Sequence, residues 1–388
     1  MDDILSQGGD REPSPWPRRL AVIGVLLVVV AGGVVYLSLP RHPHSTSATA
    51  QASVPAEPNG IGGQTLPWAG SLRLPATGTH PAWFSPATGR SATIGGLPAD
   101  SSGYEFTRIS GGWAVQASAA GKTAQDDYAV PPLPVWFLAD GAQSVTPVGT
   151  ANQVAPAATP GALWLTSYPL GADASNAAGT AREVSLAGLP LGAPVRLPPG
   201  YLIDQATDRG LLLAPANPQP GATTDKLWDA AAPRASRTFD AVIAATPTEI
   251  AWAPGCASVC LVQVLDLATG RQATVELPKG SSAASGAFSP SGAFLALQLS
   301  LGNTGDDGGL AMQLEVASVT SGRLTAVPGT FVSSDALVGF GWPAGSDSLV
   351  AEFIFTTKTQ LASWIPGASR LAVTVIPPGS DEASLIVG

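Results

Sequence analysis

Acidic and amide side chains gather in a few glycine-rich or loop-like stretches, the places where calcium binding or carboxylate catalysis would be sought. Asn303, Asp306 and Asp307 lie between Gly302 and Gly309. Asp126, Asp127 and Tyr128 follow Lys122, Asp173 and Asn176 share a third stretch, and Asp225 ends a fourth. Calcium takes about six to eight oxygen ligands. None of these spacings matches a standard calcium loop, so solvated hairpins are the simpler reading and no metal site is expected. Loop carboxylates such as Asp126, Asp127, Asp306 and Asp307 could instead serve a hydrolase or lyase, which needs titratable groups converging in a pocket.

Nucleophilic chemistry has less to build on. The three histidines are His42, His44 and His80. A Ser-His-Asp triad would have to use His80, and no G-x-S-x-G elbow occurs. Next to Pro81, His80 reads as a loop residue. Gly121-Lys122-Thr123 imitates the end of a P-loop, but Gln116 stands where the first glycine belongs. Cys256 and Cys260 are the only cysteines, and zinc would need two further ligands. Their three-residue spacer differs from the redox C-x-x-C. A disulfide is the expected state on the exported side of a membrane. It would close a five-residue ring worth about 2 kcal/mol of chain entropy before strain. No cofactor is expected.

The elements that must carry these groups follow from a recurring turn. Thr88-Gly89-Arg90, Thr269-Gly270-Arg271 and Ser321-Gly322-Arg323 each sit between short apolar runs. Weaker copies fall at Asp140-Gly141, near Pro190, at Pro233-Arg234 and at Pro366-Gly367. From position 89 to 367 the mean interval is roughly 46 residues, the size of a propeller blade. Seven turns imply an all-β, seven-bladed β-propeller, with six or eight as the neighbouring counts. Gly (44) and Pro (36) are abundant, which suits many short strands and turns and suits long helices badly.

Leu20 to Leu39 form an uncharged apolar run of twenty residues. At about 1.5 Å per residue such a helix spans about 30 Å, enough to cross a bilayer. Arg18 and Arg19 precede it, which favours an N-terminus inside the cell. A cleaved signal peptide is the competing reading, but its apolar core is usually only about 7–15 residues. The expected organisation is a cytoplasmic tail (1–19), a transmembrane anchor (20–39), a Ser/Thr/Ala/Pro-rich linker (40–64) and an extracytoplasmic propeller (65–388). Setting aside Arg11, Arg18, Arg19, Arg41, Asp2, Asp3, Asp10 and Glu12 leaves 15 basic against 24 acidic residues after position 41, a balance of −9. Nucleic acid binding needs a basic footprint, so it is excluded as a partner class.

Strand-like segments come in fours. Blade five reads Val242–Ala245, Glu249–Ala253, Leu261–Leu267 and Thr274–Leu277. Blade six reads Gly286–Phe288, Phe294–Leu299, Met312–Val319 and Leu324–Val327. Blade two reads Tyr104–Ile109, Trp113–Ala117, Val135–Leu138 and Val145–Val148. Blade one shows only Ser71–Leu74, Ala82–Phe84 and Ala92–Ile94, without an innermost strand. The C-terminal run Leu385–Val387, within residues 384–388, is expected to complete blade one and close the ring. Trp83, Trp113, Trp136, Trp164, Trp252 and Trp364 recur near second or third strands and are expected to pack between blades.

The run Ala287-Phe288-Ser289-Pro290-Ser291-Gly292-Ala293-Phe294-Leu295-Ala296 resembles the F-S-P-D-G-x-x-L-A blade signature of TolB-type, WD-repeat-like bacterial propellers. Leu265-Asp266-Leu267-Ala268-Thr269-Gly270-Arg271 is similar to the D-x-x-T-G-[RK] turn of the same group. Ser291 departs from the usual Asp, and Trp-Asp occurs near a third strand only at Trp228-Asp229. The resemblance implies a propeller and, for such propellers, protein or ligand binding.

Blade geometry then sorts the loops. Those joining strands two to three and four to one share one face; those joining one to two and three to four share the other. The long two-to-three connections carry Lys122, Asp126, Asp127, Tyr128, Asp173, Asn176, Asp225, Asn303, Asp306 and Asp307. Binding residues concentrate on long loops, so this face is expected to bind a protein, peptide or cell-envelope component, and to point away from the membrane. A sensory or assembly subunit of a membrane complex is a further reading.

Overall fold

The three Thr/Ser-Gly-Arg tripeptides form one and the same turn. Gly89, Gly270 and Gly322 have φ of 64°, 72° and 67°. Each donates its N–H to the carbonyl four residues back (Ser85, Asp266 and Ser318) at 2.8 Å. Glycine enters this left-handed region without the steric cost other residues bear. The turn near Pro190 carries its left-handed glycine at Gly188, φ 78°.

The computed structural model describes residues 61, 72–76, 80–99, 101, 103–118, 131–171, 176–217, 224–232, 234–256, 259–303, 310–333, 336–355 and 358–376. Within them the strands assemble into seven antiparallel sheets. Blade one holds β1 (Leu74–Ala76), β2 (Ala82–Ser85) and β3 (Arg90–Thr93). Blade two holds β4 (Tyr104–Ile109), β5 (Gly112–Ala117), β6 (Leu133–Ala139) and β7 (Thr146–Ala151). Blade three holds β8 (Gln153–Pro156), β9 (Ala162–Ser167), β10 (Thr180–Ser185) and β11 (Val195–Arg196). Blade four holds β12 (Tyr201–Thr207), β13 (Gly210–Pro215), β14 (Asp225–Asp229) and β15 (Arg234–Phe239). Blade five holds β16 (Val242–Ala245), β17 (Glu249–Trp252), β18 (Leu261–Asp266) and β19 (Gln272–Glu276). Blade six holds β20 (Ser282–Phe288), β21 (Phe294–Asn303), β22 (Leu310–Ser318) and β23 (Leu324–Ala326), with β24 (Val332–Ser333) added to β22. Blade seven holds β25 (Leu337–Gly341), β26 (Leu349–Phe355), β27 (Lys358–Trp364) and β28 (Ala372–Ile376). The chain is a seven-bladed β-propeller.

Period-two alternation explains why second strands read as unbroken apolar runs: each face meets a different neighbour. Leu295, Leu297 and Leu299 pack toward blade five, while Ala296 between them packs toward blade seven. Leu211 and Leu213 likewise face blade three, and Leu212 faces blade five. Buried apolar clusters fill every seam between consecutive blades. The last one joins Leu74, Ala76 and Phe84 of blade one to Val350, Leu361 and Ile376 of blade seven. That seam closes the ring through side-chain packing. The six tryptophans singled out above are all buried.

Blade one is indeed short. Ile94 N–H donates to the Pro81 carbonyl at 2.9 Å, matching Leu277 to Cys260 (3.0 Å) and Val327 to Leu314 (2.9 Å). These equivalences make β2 and β3 the third and fourth strands, so β1 is the second. The innermost place is unfilled among the described residues; Leu385–Val387, its expected occupant, lies outside them. The tail (1–19) and anchor (20–39) also lie outside them, and no described helix is long and apolar enough to cross a membrane. Of the linker expected over 40–64, Ile61 is described, and it is packed rather than free. It is buried in the cluster between blades six and seven, and its N–H donates to Gln360 Oε1 at 3.0 Å. An apolar side chain gains by burial between two blades.

Candidate functional site

The turns between first and second strands lie nearest the propeller axis, and together they surround a cavity of about 980 Å³. Ser110 and Gly111 of blade two, Pro156, Ala157, Ala158 and Pro160 of blade three, Gln205 of blade four and Thr246 to Glu249 of blade five contribute to it. Ser289 to Gly292 of blade six and Trp342, Ala344 and Gly345 of blade seven complete the wall. Ala244, Ala287, Phe288 and Trp342 make much of it apolar. The cavity opens on the face of the short turns, not on the long-loop face that the sequence singles out. The reason is radial position: a short turn at an inner strand borders the axis, whereas loop length says nothing about distance from it.

Local hydrogen bonds fix the turn in blade five. Thr246 Oγ1 accepts from the N–H of Thr248 (3.3 Å) and of Glu249 (3.0 Å), and Thr246 N–H donates to the Glu249 carbonyl at 2.8 Å. Glu249 is thereby held as the first residue of β17, half-buried on the wall. In blade six, Gly292 N–H donates to the Ser289 carbonyl at 2.9 Å. The Ser291 hydroxyl donates to the Asp347 carboxylate, 2.8 Å to Oδ1.

Among the described residues three charged groups line the cavity: Arg108, Glu249 and Asp266. Arg108 is committed to a two-point pair with Asp140 (2.6 and 2.8 Å) and lies 4.9 Å over the Trp113 ring. Asp266 is satisfied within its own turn, accepting from Ala268 N–H (2.8 Å), Thr269 N–H (3.1 Å) and the Thr269 hydroxyl (2.7 Å). The Thr269 hydroxyl and then the Thr269 N–H do most to hold its carboxyl below the ordinary value, with Ala268 N–H and Arg271 adding to the effect. Arg209 reaches across from blade four and donates to the Leu267 (3.0 Å) and Ala268 (3.3 Å) carbonyls. Glu249 differs: among the described residues its carboxylate has no hydrogen-bond or ion-pair partner. Burial pushes its carboxyl upward, and Asp266, directly opposite it across the β17–β18 pair, adds to the rise.

A second acidic pair lies in blade four. Asp204, on the inner strand β12, keeps contact with water although protein surrounds it on most sides, and burial followed by Asp225 raises its carboxyl. Asp225 is raised by burial against the opposing effect of Val242 N–H, which donates to its Oδ2 at 2.7 Å. That bond ties the third strand of blade four to the first strand of blade five, so Asp225 reads as a structural link.

The remaining sequence-predicted site residues are not brought together here. Lys122, Asp126, Asp127, Tyr128, Asp173, Asp306 and Asp307 lie outside the described residues. Asn303 ends β21, and Asn176 lies in the connection between β9 and β10. Cys256 and Cys260 are joined by a disulfide, Cα–Cα 4.5 Å, in the connection between β17 and β18. Among the described residues no group of three or more His, Cys, Asp or Glu is placed to hold a metal ion. Glu249 was missed, although a signal existed: turns such as Ser110-Gly111, Thr246-Pro247-Thr248 and Ser291-Gly292 recur with the same blade period as the Gly-Arg turns.

No protein-family model matches the sequence, and no curated protein is similar to it in sequence. Solved structures are similar to it. An acylaminoacyl peptidase in complex with Z-Gly-Gly-Phe-chloromethyl ketone superposes with a TM-score of 0.51 at 10% identity, over 78% of this chain and 48% of that one. A protein from Lactobacillus plantarum gives 0.47 at 13% identity, over 80% and 98% of the two chains. Hydrazine synthase from Kuenenia stuttgartiensis gives 0.41 at 12% identity, over 64% and 73%. This chain spans about half the length of the acylaminoacyl peptidase. Similarity at these identities concerns the β-propeller fold and leaves the chemistry to the site itself.

Proposed function

We propose that this chain is a membrane-anchored, extracytoplasmic binding module that admits part of a protein, peptide or cell-envelope component into its axial cavity. The observation that carries the reading is the cavity. About 980 Å³ of space with apolar walls and a few polar groups is the form of a ligand pocket. Among the described residues its wall holds Ser110, Thr246, Thr248, Ser289 and Ser291 but no histidine, lysine or cysteine. A serine nucleophile therefore finds none of those bases in the lining, which favours binding over acyl transfer. The anchor and the TolB-like character rest on residues 20–39 and on the blade motifs. A carboxylate-based hydrolase or lyase is the second reading. It is favoured by one feature, the opposed displacement of the facing Glu249 and Asp266 carboxyls.

Photo-crosslinking in cells tests the binding reading. A photoreactive residue at Ala344, exposed on the cavity rim, should capture a partner, and one at Asp127 should not. Capture from position 127 alone would move the site to the long-loop face.

A further inference from the structure

We propose that the cavity recognises a basic side chain, the lysine or arginine of an extended peptide, and that Glu249 is the residue that pairs with it. The inference rests on the cavity being the binding site and adds the chemical class of what enters it. Half-buried carboxylates are ordinarily paired, because a charge removed from water without a partner is costly. Among the described residues, Arg108, the cation of the wall, is engaged by Asp140, Arg209 of blade four is engaged by the Leu267 and Ala268 carbonyls, and Arg271 acts on Asp266. Asp266 is saturated by its own turn. Glu249 alone of the three charged lining groups has an open acceptor position, and its negative charge is not balanced within the wall.

The rest of the wall suits a long aliphatic stem. Phe288, Ala287 and Trp342 present apolar surface, and lysine and arginine bury their methylenes along such surface while the charged head seeks a partner. A guanidinium can meet a carboxylate at two points, which gives direction as well as charge. Ser291, which lines the cavity, donates to the carboxylate of Asp347.

Calorimetric titration of the full chain in lipid nanodiscs provides the test. The probes are acetyl-Ala-Arg-Ala-amide and its citrulline isostere, which keeps shape and loses charge. The arginine peptide should bind at least about tenfold more tightly, and Glu249→Gln should remove that preference while the melting temperature stays near wild type. Because the arginine–citrulline comparison is made on the unaltered chain, a poorly folding variant does not spoil it. Equal binding of both probes, both lost in Ala344→Trp, would overturn the role of charge and leave the cavity as the site. Arginine binding that survives Ala344→Trp unchanged would overturn both. Absence of binding by the arginine probe also overturns the inference.

Discussion

Glu249 Oε2 lies so close to Gly292 that a Cβ at position 292 would come within 2.9 Å of it. The contact joins blade five to blade six at the cavity wall, and Gly292 also has a left-handed φ of 69°. Gly292→Ala should therefore cost about 1–2 kcal/mol from the backbone alone. Displacement of the carboxylate should add to this. Chemical denaturation of Gly292→Ala with and without Glu249→Ala separates the two parts. Part of the loss should vanish in the double variant. An identical loss in both backgrounds would contradict the contact.

Glu315 supplies a pH-dependent test remote from the cavity. It is buried in β22, and burial raises its carboxyl above the ordinary value of 4.5. A raised folded-state value means that the folded protein holds the proton more tightly than the unfolded chain. The resulting stability is present below pH 4.5 and is lost as pH rises through the folded-state value. Glu315→Gln should accordingly raise the melting temperature at pH 7, with the gain shrinking toward pH 4. A gain that does not depend on pH would be at odds with this origin.

Ring closure depends on the seam between blades seven and one. Leu361 is fully buried there against Leu74, Phe84, Val350 and Ile376. Leu361→Ala should cost about 2–5 kcal/mol in a denaturant titration, the range for a buried leucine. A cost below about 1 kcal/mol would mean that the seam does not hold the ring.

The Cys256–Cys260 disulfide closes a small ring, so its removal should matter little. Replacing both cysteines with serine should lower stability by no more than about 2 kcal/mol on the chain-entropy account. Loss of folding on reduction would show instead that the bridge organises blade five.

Much of the scaffold was legible because its signals are local. A glycine that must be left-handed marks a turn wherever it falls, and the strands of blade five and blade two run close to their expected bounds. The short first blade was visible for the same reason. Radial position was not. Loop length drew attention to Asp126, Asp127, Asp306 and Asp307, while the cavity is built from two- to seven-residue turns set by the order of strands. Ile61 illustrates the second blind spot. One apolar residue in a Gly-rich stretch has no periodicity, and only its fit between blades six and seven reveals its place. The place of Glu249 on the cavity wall likewise depends on Gly292, a residue 43 positions away that leaves room for the carboxylate.

The central claim is that partners enter by the axial cavity. The most direct measurement is partner capture from cells by three chains: wild type, Ala344→Trp, and the fourfold replacement of Asp126, Asp127, Asp306 and Asp307 by Ala. Capture should disappear in Ala344→Trp, whose indole fills the cavity rim, and should persist in the fourfold variant. Capture that persists in Ala344→Trp and disappears in the fourfold variant would contradict the account and return the site to the long-loop face.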